Sequence, residues 1–171
     1  MSHRGSVVGA ERQRVENVLC ILTAIADRLE TTHELAPRVI GDAFEFVRAY
    51  EQEGLDDTRT SAGEPHLRLT VDHHLAARIP VRGMHQAVVA LDRADTSARD
   101  RFARYAREYV HLKREHFRRR DRLFSRRHSR TMSSHGEVGG KPESTSTKGL
   151  YDRLLESAAT LTTVGPGRRS A

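Results

Sequence analysis

Apolar residues recur at alternating intervals of three and four along much of the chain, which is the spacing of a helix that buries one face. The apolar seams defined by this spacing contain Val15, Val18, Leu22, Ile25 and Leu29 in a first helix, Ile40, Ala43, Val47 and Tyr50 in a second, Ala77, Val81, Met84, Val88 and Leu91 in a third, and Phe102, Tyr105, Tyr109 and Leu112 in a fourth. No segment alternates apolar and polar residues in the manner of a strand. Because the links are short, the pattern predicts an all-α protein, an up-down-up-down four-helix bundle.

The chain divides into this bundle and its flanking segments. We expect a disordered N-terminal tail over residues 1–10, the bundle over 11–128, a flexible linker over 129–148, and a short helix with a disordered C-terminus over 149–171. The linker is rich in Ser, Thr and Gly and poor in apolar residues, a composition that cannot build a core. The segment LYDRLLESAATL is amphipathic, so we expect it to form the short helix and to dock on the bundle.

Proline and capping residues mark the breaks between the four predicted helices. Pro37 suits the first turn of the second helix, and Asp95 begins a capping segment ahead of the fourth. Residues 54–66 are rich in turn-forming residues and predict a loop. Pro80 lies inside the third helix, where a proline costs about 3 kcal/mol or kinks the rod. We therefore expect the third helix to bend or split at that residue.

Composition narrows the location and the class of the protein. Among 171 residues, 37% are apolar, which suits one modest core, and no apolar run approaches the roughly 18 residues that a membrane span requires. The N-terminus has no hydrophobic segment of signal-peptide length, so we expect a cytoplasmic protein. The single cysteine, Cys20, excludes an internal disulfide and is expected to pack in the first apolar seam. Since no nucleophile stands out, we expect no enzymatic activity.

The positive charge is concentrated in one segment. The net charge is +6, and residues 113–130 alone hold nine Lys or Arg against two acids. One interpretation is a solvated helix end, where cations suit the helix dipole. The alternative is a basic binding module for nucleic acid or an acidic protein. Its candidate contacts are Arg118, Arg119, Arg122, Arg126 and Arg127.

Two histidines occupy seam positions where apolar residues are expected. Counting back along the third seam gives His74, and counting forward along the fourth gives His116 and then Arg120. Inward His and carboxylate side chains build metal sites in helical bundles. These histidines are candidate ligands for one Fe or Zn ion, with Asp72 or Asp121 as helpers. The alternative is that they only form hydrogen bonds within the core.

The other histidines are less distinctive. His73 is expected to point to a different face from its neighbour and to be solvated, and His85 and His111 are expected at the surface.

Four segments together resemble the hemerythrin-like, HHE-type cation-binding domains. These are ERQRVENVL (11–19), DAFEFVRAY (42–50), TVDHHLAARIPVRGM (70–84) and YVHLKREHFRRRDRLF (109–124). Their order and spacing, rather than any one of them, carry the resemblance. It implies a four-helix bundle whose site usually holds two irons through five histidines and two bridging carboxylates, with a role in oxygen or redox sensing.

The chain departs from that ligand pattern at most positions. His74 and His116 match two of the family's histidines. The positions matching other ligands lack a metal-binding side chain and are Arg12, Leu55, Arg59 and Arg120. Arginine has a fixed positive charge and no lone pair to donate. The resemblance therefore implies a degenerate site that binds one metal ion weakly or none, arginines at 12 and 120 turned toward the core, and a regulatory or scaffold role.

Overall fold

A computed structural model describes residues 4–32, 36–60, 65–128 and 145–163, and side chains within 12–32, 36–54, 72–122, 147–159 and at 161. Five helices lie in these ranges, and no strand does. They are α1 Arg4–Thr31, α2 Pro37–Thr60, α3 Pro65–Leu91, α4 Ala98–His128 and α5 Thr145–Thr163. The predicted all-α class is confirmed, with the helices packed as a bundle.

The helices pack in a closed order around one core. The α4 helix lies between α1 and α3, and α2 packs on the other side of α3. The α5 helix packs on α2 and also touches α1. It therefore covers the side of the bundle where the direct contact between α1 and α2 is small. As expected, this short helix docks on the bundle: Leu154 is fully buried, and the Asn17 amide donates to the Tyr151 hydroxyl at 2.9 Å.

Contacts across the α3 interfaces set the register of the site described below. Neighbouring residues on α2 and α3 pair in opposite chain directions, as do those on α3 and α4. The pairs are Phe44 with His85, Glu51 with His74, His73 with His116, and Gly83 with Tyr105. The α3 helix therefore has two buried faces, one toward α2 and one toward α4.

Most residues of the predicted seams lie in the core, Leu112 being the exception. Their members on α1, including Leu22 and Ile25, are fully buried, and Phe102 and Tyr109 are buried on α4. Burial of each such side chain stabilises the fold by about 1.5–3 kcal/mol. Cys20 is exposed, so the expectation that it packs in the core is wrong. Its neighbours Leu19 and Leu22 take the inward directions of that helical turn.

Several predicted boundaries differ from the observed helices. The α1 helix begins at Arg4, so residues 4–10 are helical rather than part of a tail, and α5 includes residues 145–148 of the predicted linker. The predicted loop at 54–66 is shorter, because α2 continues to Thr60 and α3 begins at Pro65. The disorder expected over 1–3, 129–144 and 164–171 lies outside the described residues.

Pro80 does not split α3. The helix runs through it, and the residue is buried. The backbone hydrogen bond that proline cannot donate is a local loss, and packing of α3 against α2 and α4 outweighs it.

The turn between α3 and α4 is built as predicted from Asp95. The carboxylate of Asp95 accepts a hydrogen bond from the Ser97 backbone N–H at 3.0 Å and pairs with Arg101 at 2.8 Å. These bonds, the one from Arg101 foremost, lower the pKa of Asp95 to about 2. Ala94 takes a left-handed conformation with φ 60°, which closes the end of α3. No described helix is both long enough and apolar enough to cross a lipid bilayer.

Candidate functional site

Four buried polar side chains meet between α2, α3 and α4, and we call them the buried polar cluster. They are Glu51, His74, Tyr109 and Lys113, with exposed fractions of 6%, 6%, 2% and 1%. The carboxylate of Glu51 lies at the centre. Its Oε2 is 2.6 Å from Nδ1 of His74, and its Oε1 accepts a hydrogen bond from the Tyr109 hydroxyl at 2.7 Å. The Lys113 ammonium forms an ion pair with the same Oε1.

The helical register brings these groups together. Glu51 lies four residues after the buried Val47, so it continues the inward face of α2 by one turn. Tyr109 and Lys113 are also four residues apart, so both project from α4 on the same side. His74 comes from the α3 face that packs on α2. Three helices therefore each contribute polar groups to one buried point.

The Glu51 carboxylate is ionised at neutral pH. Burial raises the pKa of Glu51, but the hydrogen bond from His74 and the charge of Lys113 together lower it more, to about 2. Burial lowers the pKa of Lys113, and the adjacent Glu51 carboxylate opposes that effect. Burial and the same carboxylate raise the pKa of Tyr109 well above its ordinary range. Because Glu51 is an anion, Nδ1 of His74 carries the shared proton.

Aromatic rings enclose the buried ammonium. The Lys113 Nζ atom lies 4.9 Å from the ring centre of Tyr50 and 5.6 Å from that of Tyr109. Aromatic faces attract a cation, and the attraction grows where water is excluded. The carboxylate and the two rings together replace the hydration shell that Lys113 loses. The pair is therefore electrically balanced, as a buried charge must be.

A pair of stacked imidazoles lies beside the cluster. The rings of His73 and His116 are 4.1 Å apart at an interplanar angle of 29°. The buried Nε2 of His73 has no hydrogen-bond partner among the described residues. Burial, reinforced by Lys113, lowers the pKa of His73 to about 3 and that of His116 to about 4. Both rings are therefore neutral at pH 7.

The expectation that His73 is solvated is wrong. His74 faces α2 while His73 faces α4, so two successive residues both point inward. A helix packed on one side only would turn one of them to water. His85 and His111 are exposed, as predicted, and the His85 ring stacks on Phe44 at 5.3 Å.

The His74 ring lies close against α2 at Gly54. A Cβ atom added at Gly54 would lie 2.5 Å from Nε2 of His74, closer than real side chains approach. Glycine at this point of α2 therefore lets the imidazole lie against the helix backbone. Since Glu51 and Gly54 are on adjacent turns, α2 fixes both edges of the ring.

The predicted helper carboxylates do not reach the histidines. Asp72 is exposed on α3. Asp121 forms a two-point ion pair with Arg12, with N–O distances of 2.9 and 2.8 Å. The Arg12 side chain is 42% exposed, so the prediction that it turns into the core is wrong. Arg120 is half-buried, and its guanidinium lies 5.5 Å from the Phe117 ring. Both arginines lie where α1 begins and α4 ends, near enough to water to stay hydrated.

The described residues do not fit a two-metal centre. Nowhere among them do three His, Cys, Asp or Glu side chains converge as ligands for a metal ion. The buried carboxylate of Glu51 is already engaged by three donors, and a cation near Lys113 would meet a like charge in a low-dielectric interior. The His73 ring lies between those of His74 and His116, at centroid distances of 6.0 and 4.1 Å, and Nδ1 of His74 is already engaged by Glu51. The side chains at 55 and 59, where other family ligands would lie, are outside the described ranges.

Glu51 and Lys113 were missed from the sequence alone. The predicted α4 seam stepped from Tyr109 to Leu112, whereas the structure half-exposes Leu112 and buries Lys113. The alternative spacing from Tyr109 through Lys113 to Phe117 is equally helical. The sequence does contain a signal for the buried pair. Lys113 lies one helical turn after Tyr109 on α4, and Glu51 follows Tyr50 on α2.

The basic stretch of α4 lies largely at the surface. Arg118, Arg119 and Arg122 are exposed, and Glu115 contacts the first two at 4.0 and 3.0 Å. The side chains of Arg126 and Arg127 lie outside the described residues. The structure therefore places the first three of the five predicted contacts, and they face water.

Replacement of Glu51 by glutamine tests the central role of its carboxylate. The Glu51→Gln variant leaves Lys113 buried without a counter-charge, so we expect a loss of about 3–5 kcal/mol in unfolding free energy. Urea denaturation measures this loss. The control Glu45→Gln breaks a surface pair with Arg48 and should change stability by less than about 0.5 kcal/mol. Adding Lys113→Met to Glu51→Gln should restore most of the loss, and a cost below about 1 kcal/mol for Glu51→Gln would contradict this account.

The stacked histidines predict a pH dependence of stability. Their pKa values are lower in the folded protein than the ordinary 6.5, so the unfolded chain binds more protons between about pH 6.5 and 4. Stability should therefore fall as the pH decreases from 7 to 4.5. After allowance for their partial exposure, we expect about 1 kcal/mol for each histidine.

Urea denaturation of His116→Phe, which keeps a ring against His73, measures that contribution. The variant should lose part of the slope between pH 7 and 4.5, whereas His111→Phe at the surface should keep it. An unchanged slope in His116→Phe would show that the stacked pair does not titrate as described. Glu51, whose pKa is lowered from 4.5 to about 2, loses its stabilising effect mainly below pH 4.5 and therefore affects only the lower end of this interval.

Comparisons with known proteins leave the family open. No protein-family model matches the chain, and searches of curated proteins and of solved structures also gave no match. The resemblance to hemerythrin-like domains therefore stays a prediction from the four sequence segments.

Proposed function

We propose that the protein is a hemerythrin-like helical bundle with a regulatory or scaffold role, in which an internal ion pair takes the place of the cation centre. The observation that carries this proposal is the Lys113 ammonium, buried against the Glu51 carboxylate and two tyrosine rings. In this proposal the lysine supplies the positive charge that a bound cation would supply in a metal-binding relative. The bundle interior is then complete without a ligand.

The donors around Glu51 support this proposal. A metal ion bound at Glu51 would have to displace the Lys113 ammonium or share the carboxylate with it. Displacement would leave a second buried charge unpaired, which costs several kcal/mol. Any metal binding through His74 and His116 would therefore be weak and limited to one ion.

The pairing of the buried charges also bears on whether a reaction takes place inside the bundle. The buried polar cluster is enclosed by side chains of three helices, and each polar group in it has a partner within the cluster. Such a cluster fixes the relative positions of α2, α3 and α4. We infer that the role of the protein depends on the surfaces these helices present, rather than on a reaction inside the bundle.

Metal titration tests the proposal. Purified protein should contain less than stoichiometric Fe and Zn by elemental analysis. Its melting temperature should not rise when Fe(II), under anaerobic conditions, or Zn(II) is added. A ligand at a hundredfold excess over its Kd would add about 2.7 kcal/mol of stability, so tight binding would be obvious.

The double variant His74→Ala and His116→Ala provides the decisive comparison. Stoichiometric metal in the native protein that is lost in this variant would establish the metal centre and defeat the proposal. His85→Ala with His111→Ala is the matched control, because both side chains are exposed imidazoles away from the cluster. Metal uptake lost equally in both variants would indicate adsorption to surface histidines and would leave the proposal standing.

A second candidate function is suggested by the exposed arginines of α4. Arg118, Arg119 and Arg122 project from one stretch of helix into water. Charge in that stretch is only partly compensated, since Glu115 is shared between two arginines and Asp121 is paired with Arg12. A basic helix of this kind contacts phosphates without reading bases, so its affinity depends steeply on salt.

Binding of duplex DNA over a range of salt concentrations tests the second candidate. If the α4 arginines contact phosphates, Arg118→Gln with Arg119→Gln should weaken binding and reduce the slope of log K against log salt by about 2. The control Arg38→Gln with Arg48→Gln removes two exposed arginines of α2 and should leave the slope unchanged. Equal losses in both variants would mean general attraction to a basic protein and would exclude this function.

A further inference from the structure

The outer face of α3 carries an apolar stripe that no described helix covers. Residues on this outer α3 face follow one another at intervals of four and three, and they are Leu75, Ile79, Arg82, Gln86 and Val89. All five are exposed, and Ile79 is 67% exposed, Leu75 47% and Val89 37%. Leu75 and Val89 lie roughly 21 Å apart along the helix, with Arg82 and Gln86 between Ile79 and Val89.

The spacing of this stripe is that of a helix-packing seam. Alternating steps of four and three keep side chains in line along a helix, and they are the steps by which two helices pack side by side. Among the described residues, three of the four large apolar side chains noted as exposed lie on this one face, the other being Leu155 on α5. The two remaining faces of α3 are already occupied by α2 and α4. The third face therefore has the side-chain spacing of an interface, and no helix in the described part of the chain covers it.

The positive charge on this face favours an acidic partner over a second copy of this chain. Arg78 and Arg82 flank Ile79 in the middle of the face, whereas the nearest acids, Asp72 and Asp92, are exposed beyond its two ends. Neither arginine forms an ion pair with a described residue. On the α4 side, exposed Arg104 lies over the Tyr105 ring, which itself packs on Gly83. A second copy of this chain would bring arginines against arginines, so self-association on this face is disfavoured.

We propose that the outer α3 face binds an amphipathic helical segment of a partner protein, with apolar residues along its seam and acidic residues on its flanks. Leu75, Ile79 and Val89 supply the apolar contact, and Arg78, Arg82 and Arg104 pair with the acidic flanks. This inference rests on the proposed scaffold role and identifies the class of partner that the scaffold holds. The buried polar cluster contributes by fixing α3 against α2 and α4, so that the face is presented as a rigid rod.

A synthetic helix tests this interface directly. The probe is a fluorescent peptide of about 20 residues with leucine at heptad seam positions and glutamate on both flanks. Its matched control has lysine in place of glutamate. Fluorescence anisotropy with the full chain should give at least tenfold tighter binding for the glutamate peptide, a difference of about 1.4 kcal/mol or more. Hydrogen exchange with this peptide bound should show slower exchange within residues 72–93.

Single substitutions separate the apolar contribution from the charged one. Ile79→Ser should weaken binding of the glutamate peptide about tenfold and leave the melting temperature unchanged, because the side chain is largely exposed. Arg82→Glu should weaken it at least as much and narrow the preference for the glutamate peptide. Leu155→Ser and Arg153→Glu, at exposed positions of α5, are the matched controls and should have no effect.

Three outcomes would overturn the inference. The first is equal affinity for the glutamate and lysine peptides, or no measurable binding of either. The second is binding that survives Ile79→Ser but is lost in Arg118→Gln with Arg119→Gln, which would assign it to the basic stretch of α4. The third is a dimer in sedimentation velocity that Ile79→Ser dissociates. The proposed function fails on different evidence, namely stoichiometric metal held by His74 and His116, so the two failures are distinguishable.

Discussion

The buried ion pair between the Lys113 ammonium and the Glu51 carboxylate is the interaction on which the arrangement of this bundle depends. Lys113 is almost completely removed from water, which would be prohibitive for an isolated charge, and the Glu51 carboxylate is the group that makes it tolerable. The same carboxylate accepts hydrogen bonds from Tyr109 and His74. One anion on α2 therefore links two residues of α4 and one of α3. Apolar packing brings the three helices together, and this polar contact fixes their register.

The arrangement also supports the proposal that the interior binds cations weakly. A centre for two iron ions needs several carboxylates and imidazoles whose lone pairs are free, and here the central carboxylate is already saturated. The histidines that match the family pattern are used differently: His74 bonds to Glu51, and His116 stacks on His73. The low pKa values of the stacked pair follow from burial beside Lys113. The positive charge that a metal would contribute is already covalently part of the chain.

With a sealed interior, the distinctive chemistry of the molecule lies on its outside. The α3 helix is the central element, since it contacts both α2 and α4 and has a third face that no described helix covers. That face combines apolar side chains with arginines that form no ion pair with a described residue, whereas in the basic stretch of α4 Glu115 pairs with Arg118 and Arg119. The first arrangement suits a helix with acidic flanks, and the second suits a phosphate backbone. They are separate surfaces, and the substitutions that remove them do not overlap.

The helices and most of the core were predictable from sequence, because an apolar residue every three or four positions determines which face of a helix avoids water. The inward placement of Leu22, Val47 and Phe102 follows from that rule alone. What the tertiary structure decided is how polar residues at the edges of these faces are used. Lys113 rather than Leu112 is buried because its partner Glu51 comes from another helix, a match that no local pattern contains. Arg12 turns outward because Asp121 lies across the α1–α4 interface, and His73 turns inward because α3 has two packed neighbours. Periodicity fixes burial one helix at a time, whereas the compensation of a buried charge depends on residues distant in the chain.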